Sequence, residues 1–223
     1  MGTQRLYLAA DNVAGDTGGK LCEVADDSPE TISYCYDPNN PCSAQGADTV
    51  FAYLQPAYAD YSPMAGPVRQ DPPGARPDVL TFMSQSFPAG MLLAGSIKVL
   101  LQVASDAEDT AFTVKISEVR ADGTAYNIRN TITSLAYRNG MPTPQVYEPG
   151  SVVSIGFTLR PIVWQLPVGA KLRLDISSSN FPEYHNHSNT SGPWAEQCAV
   201  KIAKQTIYFG GPYASYIEVP VRT

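Results

Sequence analysis

Apolar and polar residues alternate with a period of two along most of the chain's second half. Ile97, Val99, Leu101 and Val103 alternate with Lys98, Leu100, Gln102 and Ala104. Phe112, Val114 and Ile116 alternate with Thr113, Lys115 and Ser117, and Val119 then breaks the parity as a bulge or strand end does. Val153, Ile155, Phe157 and Leu159 oppose Val152, Ser154, Gly156 and Thr158; Leu172, Leu174 and Ile176 oppose Lys171, Arg173 and Asp175. Ile217, Val219 and Val221 alternate with Glu218 and Pro220, and the proline places that last run at a sheet edge. Alternation of this kind is the pattern of strands that bury one face. Gly, Pro, Asn or Asp closes each run, and Asp122-Gly123 between two of them predicts a hairpin turn.

A strand that is apolar on one face needs a second layer to cover it. The pattern therefore predicts an all-β chain, a two-layer β-sandwich with sheets about 10 Å apart. The natural closure is a jelly roll. No helical pattern is long enough for a parallel α/β sheet, and no internal repeat of fixed period occurs. Residues 9–76 differ from the rest, being rich in Gly, Pro, Asp and Tyr with few clean strands. They predict long loops lying on the sandwich, so that residues 1–223 form a single domain with 9–76 as its covering segment and 77–223 as the main sandwich. A loop-rich stretch of that length inside a compact domain marks either function or a missing partner.

Composition narrows the classes. A chain of 223 residues, 43% apolar, suffices for one substantial core. Charged residues are 16%, below the roughly 25% of an average soluble domain, which again disfavours a helical surface. The net charge is −6 and no run of Lys or Arg occurs, so a phosphate-tracking nucleic-acid surface is excluded. No apolar stretch approaches the ~18 residues of a membrane-spanning helix. The start, MGTQRLYLAAD, lacks the zones of a signal peptide and reads as an expression start or a domain cut. Cys22, Cys35, Cys42 and Cys198 allow three complete pairings. They are either buried thiols or include at least one disulfide, with Cys22–Cys35 the leading pair; pairing implies export, free thiols a cytoplasmic protein.

Candidate chemistry is sparse. No Gly-x-Ser-x-Gly elbow, phosphate loop or dinucleotide glycine motif is present. The two histidines, His185 and His187, lie in a polar stretch and read as exposed loop residues. Asp106, Glu108 and Asp109 follow a strand end, where turn chemistry explains acids, and Asp109 is placed to accept hydrogen bonds from its own loop. No catalytic residue, metal ligand set or cofactor site is assigned; whether a calcium ion braces a loop stays open. Trp164 joins two strands and suits core or interface packing, while Tyr53, Tyr58 and Tyr61 suit covering of apolar surface. Trp194 and Tyr213 are the aromatic faces that a carbohydrate-binding module would use. Asn186-His187-Ser188 and Asn189-Thr190-Ser191 match the glycosylation pattern, which carries weight only in a secreted chain.

Several segments are more specific than periodicity. Arg76-Pro77-Asp78-Val79-Leu80-Thr81-Phe82-Met83-Ser84 resembles the Arg-x-Asp-Val-Leu-x-Phe-x-Ser opening of the C-terminal domain of one hydrolase family. In order follow Gly95 to Asp106, Asp109-Thr110-Ala111-Phe112-Thr113-Val114-Lys115, Val119 with Asp122-Gly123, Ala136-Tyr137-Arg138, and Glu148-Pro149-Gly150. Gly169 and Ile176-Ser177-Ser178-Ser179-Asn180-Phe181-Pro182 with Asn189-Thr190 complete the set; upstream, Tyr36-Asp37-Pro38 with Pro41 resembles the same domain's start. The chain is thus similar, over about residues 6 to 221, to the X-Pro dipeptidyl-peptidase and cocaine-esterase group of serine hydrolases, which includes α-amino-acid ester hydrolases. The resemblance implies a jelly roll of galactose-binding-like topology, itself non-catalytic, that packs on an α/β-hydrolase domain and a helical cap carrying Ser, Asp and His. It implies a pocket-lining role for Val50 and Phe51. Two departures stand out: Ala170 follows Gly169 where the family has Gly-His, and Ala111 replaces the second Asp of Asp-Thr-Asp-Phe. A lone domain of this kind leaves an uncovered interface that favours self-association. A carbohydrate-binding module of a polysaccharide-degrading enzyme, using Trp194 and Tyr213, is the alternative.

Overall fold

A computed structural model describes residues 2–11, 17–46, 66–197 and 199–222. The described residues contain thirteen strands and no α-helix. They are β1 (Gly2–Ala10), β2 (Gly18–Cys22), β3 (Glu30–Tyr36), β4 (Leu80–Ser84), β5 (Met91–Gly95), β6 (Lys98–Ser105) and β7 (Ala111–Val119). β8 (Ala125–Ser134), β9 (Val153–Thr158), β10 (Ile162–Leu166), β11 (Lys171–Ser177), β12 (Ala203–Phe209) and β13 (Tyr216–Arg222) follow. The alternating runs thus form strands at the expected places. β7 and β8 are joined through Asp122-Gly123, with Gly123 at φ 84° as the turn requires. The irregularity of β7 is a register shift between Ile116 and Ser117, and the strand ends at Val119.

The hydrogen-bonded path runs β3-β12-β6-β13-β1-β2-β4-β11-β7-β8, with β5, β9 and β10 branching from it. This path doubles back on itself. Phe82 of β4 meets Phe209 of β12 edge-on with ring centroids 5.7 Å apart, although these strands are distant along the path. Trp164 of β10 packs against the core and donates through its indole N–H to Glu118 of β7 at 2.8 Å. Tyr34 of β3 bonds Ser178, just past β11, at 2.9 Å. The result is an all-β sandwich with one apolar interior. Leu80, Phe82, Phe112, Val114, Ile116, Leu172, Leu174, Ile176, Ile207 and Ile217 are buried in it, each side chain worth about 1.5–3 kcal/mol of transfer free energy.

Three expectations need correction. Pro220 is not on an edge strand: β13 lies between β1 on one side and β6 and β5 on the other. The proline is tolerated because β6 pairs only as far as Glu218 and β5 begins at Val221, leaving position 220 with no ladder partner on that side. Its ring rests against Gly95, where a Cβ would sit 3.1 Å from it. Second, the segment 9–76 is not only loop, because β2 and β3 are full members of the sheet. β2 pairs in parallel with β4, so close that a Cβ on Gly18 would fall 1.7 Å from the Thr81 carbonyl oxygen. Third, Cys22, Cys35 and Cys42 are free thiols. Cys22 sits on β2 and Cys35 on β3, and the leading pair is not formed. Cys198 lies outside the described residues, as do Val50, Phe51, Tyr53, Tyr58 and Tyr61.

Candidate functional site

A half-buried strand exposes its polar face, but β7 and β11 bury both faces. Thr113, Ser117, Arg173, Asp175 and Ser177 are all buried despite their polarity. The antiparallel register sets Arg173 opposite Ser117, Asp175 opposite Lys115, and Ser177 opposite Thr113. Residues 42–46 and 66–78 lie across this face, so a polar layer is trapped beneath the covering segment. Buried polar groups must find partners, and here they do. Asp175 accepts from Thr81 at 2.6 Å and from Arg173 at 2.8 Å, and Arg173 also donates to the Asp71 carbonyl at 2.7 Å. Arg76 grips Asp78 with two bonds of 2.8 and 2.9 Å and reaches the Asn40 carbonyl at 2.7 Å. The Cys42 thiol donates to Asp78 at 3.4 Å and lies 3.2 Å from the Ser177 hydroxyl. Burial, aided by the Asp78 charge, pushes the Cys42 pKa up and keeps that thiol protonated.

The centre of the layer is Asn127 of β8, a buried amide with four hydrogen bonds. Its Nδ2 donates to the carbonyls of Gly46 and Gly66, and its Oδ1 accepts from the Val68 N–H and the Gln70 amide, at 3.1, 3.2, 2.7 and 3.2 Å. Asn127 therefore holds Gly46 and Gly66 together in one clamp. Gly46 adopts φ 69°, and a Cβ there would fall 2.4 Å from the Gly66 carbonyl oxygen, so only glycine fits. Gln70 ties the clamp to Lys115, whose ammonium donates to its side-chain oxygen at 3.0 Å. Burial holds the Lys115 pKa below the ordinary lysine range, against the opposing pull of Asp175. Next to Lys115 is a cavity of about 240 Å³, lined by Gln70, Asn130, Arg173, Ser177 and Ser179 among others.

A second polar cluster corrects the reading of the histidines. His185 is exposed, but His187 is fully buried, because the loop after β11 folds down onto Asp109. The Asn189 N–H donates to His187 Nδ1 at 3.0 Å, which leaves the proton on Nε2 to be donated to Asp109 at 3.2 Å. Both ring nitrogens are thereby committed, and neither is free to take a proton from a nucleophile. Asp109 also accepts from the Thr110 and Ala136 N–H groups, each at 2.9 Å, so the turn role foreseen for it extends to a neighbouring loop. Thr110 donates to Asn189 at 2.7 Å and accepts from Gln205 at 2.8 Å. Trp194 packs edge-on against His187 with ring centroids 5.0 Å apart, and Tyr213 packs on Tyr208 at 5.1 Å. Among the described residues no group of three or more His, Cys, Asp or Glu could hold a metal ion.

The sequence pattern singled out neither Asn127, Gln70 nor Lys115. A polar residue in an alternating strand looks solvent-facing until something is known to cover it, and no local signal announces a cover.

Comparison with known proteins gives a consistent result. Residues 2–218 match the family described as the X-Pro dipeptidyl-peptidase C-terminal non-catalytic domain. The chain is 27% identical over 219 residues to cocaine esterase of Rhodococcus sp. (strain MB1 Bresler), covering 96% of this chain and 37% of that protein. Among solved structures, an α-amino acid ester hydrolase matches with a TM-score of 0.77 and 25% identity, over 99% of this chain and 36% of its own. An aminopeptidase from a marine sediment Thaumarchaeota archaeon matches with a TM-score of 0.81 and 19% identity, over 100% of this chain and 37% of its own, which bears on fold alone. The chain thus spans little more than a third of the proteins it resembles.

Proposed function

The chain belongs to the family of X-Pro dipeptidyl-peptidase C-terminal non-catalytic domains, and we propose that it is the support domain of a serine hydrolase. In this reading residues 1–223 form one unit that packs on an α/β-hydrolase domain and a helical cap carried on further polypeptide. The parent activity is dipeptidyl-peptidase or ester and amide hydrolysis. The observation that carries the reading is the family match over residues 2–218, with relatives named as hydrolases that are matched over only 36–37% of their length. The clamp supports it. Function concentrates in loops held by a rigid scaffold, and Asn127 fixes both ends of the segment that contains Val50 and Phe51. We assign to those two residues a place in the wall of the substrate pocket.

The test is made on the natural protein. An antibody raised against this chain should detect a polypeptide much larger than 24.0 kDa, and a fluorophosphonate probe for activated serines should label it. The purified 223-residue chain should neither take the label nor hydrolyse Xaa-Pro anilides or simple esters. A natural product of about the size of this chain, or label on the chain itself, refutes the proposal.

A further inference from the structure

The chain contains one Asn-Gly pair, Asn139-Gly140, and one Asp-Gly pair, Asp122-Gly123. Either can close a five-membered imide ring, because glycine has no side chain to obstruct attack by its own nitrogen on the preceding side-chain carbonyl. The fold treats the two pairs differently. Asp122 Oδ1 accepts from the Thr124 hydroxyl at 2.6 Å and from the Thr124 N–H at 2.9 Å, and these bonds hold its pKa below the ordinary carboxylate range. It stays a carboxylate, which is a poor electrophile. Asn139 is a neutral amide whose Nδ2 reaches the Ser154 carbonyl at 3.4 Å, near the limit of a hydrogen bond. It is exposed, as is Gly140, in the short 3-10 turn Arg138–Gly140.

The backbone leaves the ring free to close. Asn139 is at φ 63°, in the left-handed region that residues other than glycine occupy at a cost, so departure from it is not opposed. Gly140 is at φ 69°, with nothing within 4 Å of the place a Cβ would take, so its nitrogen can turn toward the side chain. Asn127 and Asn189 lack this freedom. Both ends of their amides are bonded, and each precedes a β-branched residue, Ile128 or Thr190, that shields the next nitrogen. We infer that Asn139 is a site of spontaneous deamidation through a succinimide. The Gly140 nitrogen bonds to Asn139 Cγ and loses its proton, the Cγ–Nδ2 bond breaks, and ammonia leaves with that proton. Water then opens the ring, at Cγ to give aspartate or at the main-chain carbonyl to give isoaspartate. Asn139 rests on β9, where a Cβ on Gly156 would sit 3.3 Å from its Oδ1. Both products set a carboxylate against the Ser154 carbonyl that the amide faced, which loosens the turn from β9.

The test incubates the purified chain in mildly alkaline buffer, with and without urea, and follows tryptic peptides by mass spectrometry. The peptide that begins at Asn139 should gain one dalton and separate into aspartyl and isoaspartyl forms, and an isoaspartyl methyltransferase should label it. The peptide that begins at Ala121 and carries Asp122 should stay unlabelled in the folded chain. Relative to urea, folding should slow Asn139 by less than about tenfold, since a single weak hydrogen bond restrains its amide, and should slow Asp122 more. Asn139→Gln should remove the label, because its longer side chain would have to close a six-membered ring. Should that variant fail to fold, the wild-type peptide map still decides. An unchanged peptide at Asn139, equal label on the peptide that begins at Ala121, slowing of Asn139 beyond that figure, or equal slowing of the two residues overturns the inference.

Discussion

Replacing Asn127 by alanine tests whether the clamp is the anchor of the covering segment. The substitution removes four hydrogen bonds, from two carbonyls, one N–H and one side-chain amide. A neutral hydrogen bond contributes about 1 kcal/mol net, which sets an upper figure of about 4 kcal/mol. Gly66 and Val68 are only partly buried and can turn to water, whereas Gly46 and Gln70 are buried and cannot. The expected loss is therefore about 2–3 kcal/mol, read as a lower urea midpoint at unchanged slope. Local opening should be larger than global loss, so limited proteolysis should begin between residues 46 and 66 at protease levels that leave the wild type intact. Asn127→Asp adds a control: its side chain keeps the acceptor for Val68 but cannot donate to the two glycine carbonyls, and it should open the same segment. A midpoint shift worth under about 0.5 kcal/mol, with the wild-type cleavage pattern, refutes the clamp.

Other outcomes follow from the same contacts. Asp175→Ala strands the Arg173 guanidinium in the polar layer, so denaturation should show a loss of about 3–5 kcal/mol; a loss below 1 kcal/mol means that the pair is hydrated. Asp109→Asn sets an N–H₂ against the Nε2 proton of His187, whose other nitrogen is held by the Asn189 N–H, and should cost about 2–3 kcal/mol by urea titration, with an unchanged midpoint as the contrary result. Burial holds the pKa values of Tyr34 and Tyr36 above the ordinary 10.0, so above pH 10 the unfolded chain releases protons that the folded chain keeps. Stability should then be intact below pH 10 and fall above it by up to about 1.4 kcal/mol per pH unit for each tyrosine; a slope that Tyr34→Phe leaves unchanged contradicts this. Lys115 has the opposite sign: with its folded pKa depressed below 10.5, the unfolded chain holds more protons between the two values. Its contribution therefore rises with pH in that window, and Lys115→Met should remove the rise.

The sandwich was legible because its cause is local. Ile97 to Val103 or Leu172 to Ile176 cannot bury one face without becoming strands, and the spacing of Asp122-Gly123 announces the turn. The polar layer was not legible because its cause is distant. Thr113, Lys115 and Ser117 have the same pattern as any wet strand face, and only residues 42–46 and 66–78, far away in the chain, make that face interior. His187 misled for the same reason: its neighbours are polar and loop-like, yet Asp109, Asn189 and Trp194 enclose it. Pro220 misled by a finer effect, since a strand can be internal over most of its length and unpaired at one position.

Many of the residues that carried the family resemblance are polar rather than core-building, and their structural role explains why they are recognisable. Arg76 and Asp78 bind each other and tie down Asn40 and Cys42. Asp109 and Thr110 gather the loops containing Ala136, His187 and Asn189. Ser177, Ser178 and Ser179, at and just past the end of β11, meet Cys42 and Tyr34. An apolar position accepts several side chains of similar volume, but a buried polar junction needs a particular donor opposite a particular acceptor. Such junctions leave a legible trace in sequence without any chemistry being done at them. The same exclusivity makes them poor catalysts: a His–Asp pair whose every ring nitrogen and carboxylate oxygen is already bonded has been spent on holding loops together.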